Sequence, residues 1–308
     1  MKNLFFYQTK FNCTTKDDVF DFFMATLKPS NTIWSYFVNW DKVFLKTEEI
    51  QKSLNKLNYL IGHSQFDQKF RLLLKDNPNI ARIIPTLGVR DGNDTKKFQI
   101  LLDCKSKNLK YEKYDFSKSE ISDEDIEKYL IFVKKTGIKN LLVNKKIKNL
   151  TDYMIGVEAG LDSNGRKNRS GSTMESIVEF FIEEVCQKNG FKFLKEVNVQ
   201  KIEKELGYKV LNDKVSHRYD FVIDNGKELF ILETNFYGGG GSKLKATAGE
   251  YKNLANHLKK QKYKLLWITD GSGWKTTEKS LRETFDHNDY IFNLKMLESN
   301  ILEFVLKP

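Results

Sequence analysis

The chain has 308 residues, which is enough for one large domain or two ordinary ones, and 40% of them are hydrophobic, which argues against wholesale disorder. Its 51 basic residues outnumber 41 acidic ones, and the resulting net charge of +10 favours an anionic partner, most often nucleic acid. No stretch reaches the roughly 18 apolar residues that a membrane helix needs, and the three cysteines form no CxxC pair. The composition therefore predicts a cytoplasmic protein without a membrane partner, a disulfide framework or a cysteine zinc site.

Residues 1–150 are predicted to form a mostly helical N-terminal region. An aromatic stretch around Trp34, Phe37 and Trp40 has helical spacing, which favours packing in a core over stacking on bases. Residues 122–137 carry the signals of one complete helix: a serine cap, acidic residues in the first turn, lysines in the last turn and a terminal glycine.

A short apolar helix predicted at 150–160 leads into a polar segment at residues 161–172 that contains several glycines and serines. This segment is predicted to be a loop, and it separates the helical region from a second half, residues 151–308, in which strand signals occur. Apolar residues at helical spacing then predict a helix over 173–190.

The second half contains a predicted hairpin, a helix and a further strand. Two strand-like runs, 218–223 and 228–234, flank the turn signal Asp224-Asn225-Gly226-Lys227. A helix is predicted over 243–261 and a short buried strand over 263–269. Helix, antiparallel hairpin, helix and strand in this order predict an α/β fold with helices packed against a mixed sheet.

Asp220 and Glu233 are the most informative pair of candidate site residues. Two antiparallel strands joined by a turn bring these positions near the same end of the sheet. Both acids have apolar neighbours, and a carboxylate in such surroundings is costly to bury unless a cation neutralises it. Two carboxylates that face one point suit Mg²⁺; the alternative is a pair of exposed acids, or partners of lysines.

Glu175 has two interpretations. Ser172-Thr173-Met174-Glu175 fits a capping box in which Glu175 reaches back to the start of the predicted helix, and this structural role is favoured. The alternative makes Glu175 a third acid that points toward Asp220 and Glu233.

The segment before this helix is basic and could bind DNA. Arginine can pair with guanine and asparagine with adenine in the major groove, while hydroxyl groups can hold phosphates. The candidate residues are Asn164, Arg166, Lys167, Asn168, Arg169, Ser170 and Ser172. The alternative is a basic loop that is only solvated.

Four consecutive glycines, residues 238–241, follow the second acid. Glycines let the backbone approach a ligand closely, and Lys243 and Lys245 open the next predicted helix, where N–H groups also favour phosphate. The run is not a Walker A loop, because neither the glycine before the lysine nor the Ser or Thr after it is present. A flexible linker with solvated lysines is the alternative.

Several of these motifs, in this order, resemble the DpnII/MboI type II restriction endonucleases. The resemblance covers residues 150–300 well and the N-terminal half only loosely. It lies in residues 156–171 with Met174-Glu175, in Tyr219-Asp220-Phe221-Val222-Ile223, in Glu233-Thr234-Asn235-Phe236-Tyr237 with the Gly–Ser-Lys-Leu run, and in residues 267–274 and 281–286.

The resemblance implies a PD-(D/E)XK nuclease core and double-stranded DNA as the substrate. The family cuts before the guanine of the palindrome GATC and is stopped by N6-methylation of the adenine. An adenine methyltransferase would then be a functional partner that protects the host. Double-strand cutting at a palindrome favours a symmetric homodimer with one active site per strand.

Carried over residue by residue, the resemblance makes Asp220 and Glu233 the two motif acids that hold Mg²⁺, with Glu175 as an extra acid. The usual lysine, two positions after the second acid, is Asn235 here. An amide can orient a water molecule but cannot take its proton at neutral pH, so the general base stays open. Metal binding can lower the pKa of water enough to make a nucleophile without lysine.

Three functions remain to be compared. A GATC-specific endonuclease is the one that the resemblance favours. A repair or mobile-element nuclease of the same fold would cut without preference for GATC. A DNA-binding module that has lost catalysis is a third alternative, which the asparagine at position 235 makes conceivable.

Overall fold

The computed structural model describes residues 4–89, 96–105, 109–211 and 218–307. The chain forms two compact units. We call Met1–Tyr36 together with Lys167–Pro308 the sheet unit, and Phe37–Arg166 the helical unit. In the residues described, neither unit contains a helix that is long and apolar enough to cross a membrane.

The described residues form helices and strands that are numbered here in chain order. The helices are α1 (Phe5–Phe11), α2 (Lys16–Ala25), α3 (Trp40–Leu57), α4 (Phe66–Asp76), α5 (Asp123–Lys135), α6 (Ile138–Val143), α7 (Leu150–Asn164), α8 (Arg166–Asn189), α9 (Val199–Leu206), α10 (Ser242–Lys260), α11 (Glu278–His287), α12 (Leu294–Glu298) and α13 (Ile301–Leu306). The strands are β1 (Lys97–Leu101), β2 (Tyr111–Asp115), β3 (Lys192–Val197), β4 (Tyr219–Asp224), β5 (Leu229–Phe236), β6 (Lys264–Asp270) and β7 (Ile291–Phe292).

The sheet unit contains a five-stranded mixed sheet with the strand order β3-β4-β5-β6-β7. Strands β3, β4 and β5 are antiparallel neighbours, whereas β5, β6 and β7 run parallel. Helix α10 supplies the crossover that the parallel pair β5 and β6 requires. This sheet, in a chain whose first half is mostly helical, confirms the predicted α/β class.

Both faces of the sheet are covered by helices. On one face Phe221 and Leu232 belong to the same apolar cluster as Met174 of α8. On the other face Val222 belongs to a cluster with Leu254 of α10. Successive side chains of a strand point to opposite faces, so strands covered on both sides are continuously apolar in sequence.

The hairpin and the two elements after it follow the prediction. Strands β4 and β5, helix α10 and strand β6 each begin and end within two residues of the predicted bounds. The turn of the hairpin closes when Asp224 Oδ1 accepts a hydrogen bond from the Gly226 N–H at 2.9 Å. Gly226 has a φ of +84°, a conformation that glycine adopts without strain.

The helical unit has an apolar core of its own. Helix α5 begins at the predicted cap, where Ser122 and Asp125 form a capping box. Its apolar face contributes Leu130 to a cluster that also contains Leu54 of α3 and Met154 of α7. Strands β1 and β2 add an antiparallel hairpin that the sequence does not predict.

The aromatic stretch at the start of this region is not buried, and the prediction that it packs in a core is wrong. Trp34 is 92% exposed, Phe37 57% and Trp40 51%. Helix α3 instead buries the face that carries Val43 and Leu54. Helical spacing shows that a stripe of apolar side chains exists, but it does not show which face another element covers.

The segment 161–172 is helical, so its prediction as a loop is wrong. Helix α7 continues to Asn164, and α8 begins at Arg166, seven residues before the predicted start of that helix at 173. Gly165, the residue between the two helices, itself has helical backbone angles. The polar composition therefore marks a helix junction rather than an irregular loop.

Hydrogen bonds from polar side chains explain why this segment is helical. Thr173 Oγ1 donates to the Arg169 carbonyl oxygen one turn back at 2.8 Å. Asn31 Nδ2 donates to the Ser170 carbonyl oxygen at 2.8 Å, and Ser170 Oγ donates to Asn31 Oδ1 at 2.9 Å. Because hydroxyl groups can satisfy a carbonyl of the preceding turn, the serine and threonine content is a poor guide to a loop here.

The compact units divide the chain differently from the predicted regions 1–150 and 151–308. Helices α1 and α2 belong to the sheet unit, because Tyr7 and Phe23 are buried in its core. Helix α7, predicted to open the second half, belongs to the helical unit, where Met154 is fully buried. Burial of these side chains, which composition does not reveal, determines the division.

Gly271→Ala is expected to destabilise the sheet unit. Gly271 has a φ of +107°, and a Cβ there would lie 2.3 Å from the Tyr237 carbonyl oxygen. The neighbouring atom belongs to the backbone, so overpacking should cost about 1–3 kcal/mol. Urea unfolding measures this loss, and Gly239→Ala is the matched control because a Cβ there meets nothing within 4 Å. Equal losses in both variants would contradict the steric explanation.

Candidate active site

The hairpin of β4 and β5 brings Asp220 and Glu233 together. Phe221 pairs with Leu232 in the antiparallel register, so one step further along the strands Asp220 lies opposite Glu233. Residues that lie directly opposite each other have Cβ atoms about 4.5–5.5 Å apart and share a face of the sheet. The structure therefore places the two acids side by side at one end of the hairpin.

Asp220 is held by the strand that carries Glu233. Its Oδ2 accepts hydrogen bonds from the Thr234 N–H at 2.7 Å and from the Thr234 hydroxyl at 3.2 Å. These bonds fix the orientation of the carboxylate at the strand end, next to the second acid.

Tyr251 of α10 contacts the second acid. Its hydroxyl donates to Glu233 Oε2 at 3.3 Å, and its ring packs on Trp267 with the ring centroids 4.8 Å apart. Burial, followed by the charges of Glu233 and Asp220, raises the pKa of Tyr251 well above its ordinary value. Because one hydroxyl is subject to both carboxylates, the two acids and this phenol form a single cluster, in which Glu233 is only 5% exposed.

Asn235 lies two residues after Glu233 on the same strand and bonds to the neighbouring strand. Its Oδ1 accepts a hydrogen bond from the Thr269 hydroxyl, and Thr269 Oγ1 accepts one from Trp274 Nε1 at 2.8 Å. Its Nδ2 is buried and makes no hydrogen bond of normal geometry within the described residues. The Asn235 amide nevertheless acts on the Tyr251 hydroxyl, because it partly offsets the rise in the pKa of that phenol.

Glu175 does not stand at a helix start, so the capping role predicted for it is wrong. Since α8 begins at Arg166, Glu175 lies in the third turn of the helix. Burial, followed by the charge of Asp220, raises the pKa of Glu175. Its carboxyl group is therefore within electrostatic range of the first acid.

The donor set has been compared with the needs of a metal ion. Among the residues that the structure describes, no group of three or more His, Cys, Asp or Glu side chains is arranged to hold a metal. Asp220 and Glu233 by themselves offer carboxylate oxygens, and Mg²⁺ is often bound by one or two carboxylates together with water and phosphate oxygens. The pair fits such an ion, whereas Glu175 does not join it in a three-acid cluster.

Seven of the residues predicted to bind DNA lie at the junction of α7 and α8. Arg169 and Ser170 are partly used by the fold, because Arg169 Nε donates to the Tyr36 carbonyl oxygen at 3.1 Å and Ser170 bonds with Asn31. The side chain of Lys167 lies outside the described part of the chain. The members of this set that are exposed are Asn164, Arg166, Asn168 and Ser172.

The four glycines at 238–241 contact the protein itself. A Cβ at Gly240 would lie 2.4 Å from the Thr276 hydroxyl oxygen, so this glycine allows close packing between two loops. The alternative of a loose linker is therefore wrong at this position. Lys243 and Lys245 are exposed in the first turn of α10.

Sequence reasoning missed three side chains of the site: Tyr251, Thr269 and Trp274. A tyrosine in the middle of a predicted helix carries no signal of its own, since most such residues pack in a core. Thr269 meets Asn235 because the two are register partners in the parallel pair of β5 and β6. A strand alignment would have found this contact, but a single sequence does not provide one.

Comparisons with known proteins extend over almost the whole chain. The family model described as DpnII restriction endonuclease matches residues 19–304. The type II restriction enzyme MjaIII of Methanocaldococcus jannaschii is 40% identical, over 93% of this chain and 99% of that protein. The type II restriction enzymes DpnII of Streptococcus pneumoniae and MboI of Moraxella bovis are 37% and 33% identical, each over 92% of this chain and over 97% and 94% of their own lengths. No solved structure matches the chain.

The match of the family model includes most of both units, and the relatives named here align over more than nine-tenths of the chain. This result confirms the resemblance drawn from the motifs around Glu175, Asp220 and Glu233. The chain therefore belongs to the DpnII restriction endonuclease family of type II restriction enzymes, which are site-specific deoxyribonucleases.

Proposed function

We propose that this enzyme cuts both strands of unmethylated DNA before the guanine of GATC, with Mg²⁺ bound by Asp220 and Glu233. The observation that carries the catalytic part is the cluster in which both acids act on the hydroxyl of Tyr251. The choice of GATC rests on the resemblance to the DpnII and MboI enzymes. The net charge of +10 favours the polyanionic substrate.

The proposed fold is the PD-(D/E)XK nuclease core. Its support is the order of elements: three antiparallel strands, β3, β4 and β5, are followed by the α10 crossover to the parallel strand β6. The acids lie on the central hairpin, and Asn235 occupies the position of the motif lysine.

The carboxylates of Asp220 and Glu233 would hold the Mg²⁺ ion. When bound, the ion supplies charge neutralisation at the attacked phosphate and lowers the pKa of a water molecule toward neutrality. The contribution of the protein is to fix the ligands: Thr234 holds Asp220, and Tyr251 holds Glu233. Asn235 cannot accept a proton at neutral pH, so the proton of the attacking water passes to another acceptor.

Glu175 is proposed as an auxiliary acid. Its support is the effect of the Asp220 charge on its pKa, which places the two carboxyl groups near each other. To act as a third metal ligand its side chain would have to move, because the described residues contain no cluster of three acids.

Recognition of DNA is proposed to use the junction of α7 and α8 together with the start of α10. The exposed Asn164, Arg166, Asn168 and Ser172 would reach base edges or phosphates, while Lys167 adds positive charge. Arg169 and Ser172 line an open groove of the sheet unit. Ser170 would support this surface through Asn31, and Lys243 and Lys245 would contact phosphates.

The proposed assembly is a symmetric homodimer, because the palindrome GATC presents the same sequence to two identical active sites. A donor or acceptor fitted to the N6 amino group of adenine would be disturbed by a methyl group there. An adenine methyltransferase in the same cytoplasm would therefore protect the host DNA.

Digestion of two plasmid preparations, with and without adenine methylation at GATC, tests the proposal. With Mg²⁺ we expect discrete fragments, whose ends map before the guanine of GATC, from unmethylated plasmid only. EDTA should stop the reaction. A smear from both preparations would favour the nuclease without GATC preference, and binding without any cleavage would favour the DNA-binding module; either result would contradict the proposal.

A further inference from the structure

The side chains around Glu233 form a chain of hydrogen bonds with one direction. We infer that four of them act as a relay that positions Glu233, and that Asn235 is therefore a positioning residue rather than a group that touches DNA or water. The members of the relay, in order, are Trp274, Thr269, Asn235 and Tyr251. This inference rests on the proposed function, because it assumes that Glu233 binds the metal.

The first bonds of the relay have a direction that chemistry fixes. An indole N–H can only donate, so Thr269 Oγ1 must accept the bond from Trp274 Nε1. The threonine hydroxyl then has one proton to give, and it gives that proton to Asn235 Oδ1. The oxygen of the Asn235 amide therefore faces Thr269, and the NH₂ group faces away from it.

The second half of the relay runs from this NH₂ group to the acid. The buried Nδ2 has no hydrogen bond of normal geometry among the described residues, and a buried donor in that state is costly. The Asn235 amide acts on the Tyr251 hydroxyl, which in turn lies 3.3 Å from Glu233 Oε2. A phenol is protonated at neutral pH, so Tyr251 donates to the carboxylate. A small shortening of the contact between Asn235 and Tyr251 completes the chain.

Burial makes the relay rigid. Thr269 and Trp274 are both completely buried, and the ring of Tyr251 packs on the buried Trp267. Partners that hold a metal ligand in place typically change metal affinity or activity by about 10–100-fold when they are removed. The relay thus gives the residue in the place of the motif lysine a role that needs no proton transfer.

Thr269→Val removes the hydroxyl of the relay and keeps the shape of the side chain. We expect the affinity of the DNA-free enzyme for Mn²⁺ alone, measured by titration calorimetry, to fall about 10-fold or more. Thr269→Ser should restore it to within about 3-fold, because the hydroxyl returns. The matched control is Thr284→Val, which removes another buried hydroxyl, one that donates to the Ala248 carbonyl oxygen at 2.7 Å. If Thr269→Val binds Mn²⁺ as tightly as this control, the relay is overturned.

A double variant distinguishes a relay from independent contributions. Tyr251→Phe breaks the last bond, so adding Thr269→Val to it should cause little further loss of Mn²⁺ affinity or of the single-turnover cleavage rate. Losses that multiply would mean that the two side chains act separately, and the inference would be wrong.

The orientation of Asn235 can be measured without metal or DNA. In enzyme labelled with ¹⁵N-asparagine, the side-chain amide signals of Asn235, identified by their loss in Asn235→Ala, should move in Thr269→Val and return in Thr269→Ser. Signals that stay in place overturn the relay even if the enzyme cuts GATC. Wild-type enzyme that binds no Mn²⁺ and cuts no DNA refutes the proposed function, while the amide signals still decide whether the relay exists.

Discussion

Asp220→Asn is expected to lower DNA cleavage roughly 1000-fold or more and to leave binding of a GATC duplex largely intact. The amide keeps the size of the carboxylate, and its oxygen can still accept the hydrogen bond from the Thr234 N–H. It loses the negative charge that holds a divalent cation, and such an ion supplies several kcal/mol of transition-state stabilisation, at 1.36 kcal/mol per factor of ten. Single-turnover cleavage with Mg²⁺ and a binding titration with Ca²⁺ measure the two properties separately.

Asp224→Asn is the matched control for this experiment. It makes the same chemical change at the other end of β4, where Asp224 accepts hydrogen bonds from the Tyr208 hydroxyl at 3.1 Å and the Gly226 N–H at 2.9 Å. This variant should cut GATC at close to the wild-type rate. Cleavage by Asp220→Asn within about tenfold of the wild type would remove Asp220 from the metal site, since no ligand of the ion could be lost at so small a cost.

The hairpin that carries the acids could be predicted because its signals are local. Its strands are apolar over their whole length, and Asp224-Asn225-Gly226-Lys227 is a turn whose glycine has the required positive φ. Once the turn is placed, the register follows, and Asp220 must lie near Glu233. This part of the candidate site therefore needs only adjacent stretches of the sequence.

The rest of the site depends on contacts between distant residues. Asn235 meets Thr269 only because β5 and β6 are parallel neighbours, joined through α10. Tyr251 reaches Glu233 only because α10 packs on that face of the sheet. A single sequence states the strands and the helix but not their register, so these contacts could not be predicted.

Composition was misleading where side chains stabilise the backbone. Residues 161–172 contain glycine, asparagine and serine, which are common in loops, yet Asn31 and Thr173 help to hold them in helical form. Conversely, the aromatic residues near Trp34 have helical spacing and are exposed, because no described element covers them to the extent that burial requires. In both cases tertiary contacts override the local preference.

Asp270 shows the same limit at the end of β6. In sequence it only marks the stop of a predicted strand, but in the structure it is completely buried and joins three segments that are far apart in the chain. Its Oδ1 accepts from the Lys28 N–H and the Gly271 N–H, each at 2.6 Å, and its Oδ2 accepts from the Leu294 N–H at 2.8 Å. One carboxylate thus anchors the segment after α2 and the start of α12 to the sheet.

Asp270→Ala is therefore expected to lower the free energy of unfolding by about 3 kcal/mol or more, since three backbone N–H groups lose their acceptor and each costs about 1–3 kcal/mol when buried without one. Asp270→Asn should lose less, because the amide oxygen can still accept from Lys28 and Gly271, whereas its NH₂ group faces the Leu294 N–H. Urea unfolding at neutral pH measures both losses. Asp286→Ala, which breaks a partly exposed pair with Arg282, is the control and should cost less than about 1 kcal/mol. The order wild type, Asn variant, Ala variant is the signature of a carboxylate that acts through hydrogen bonds, and an Asn variant as unstable as the Ala variant would instead assign its role to charge.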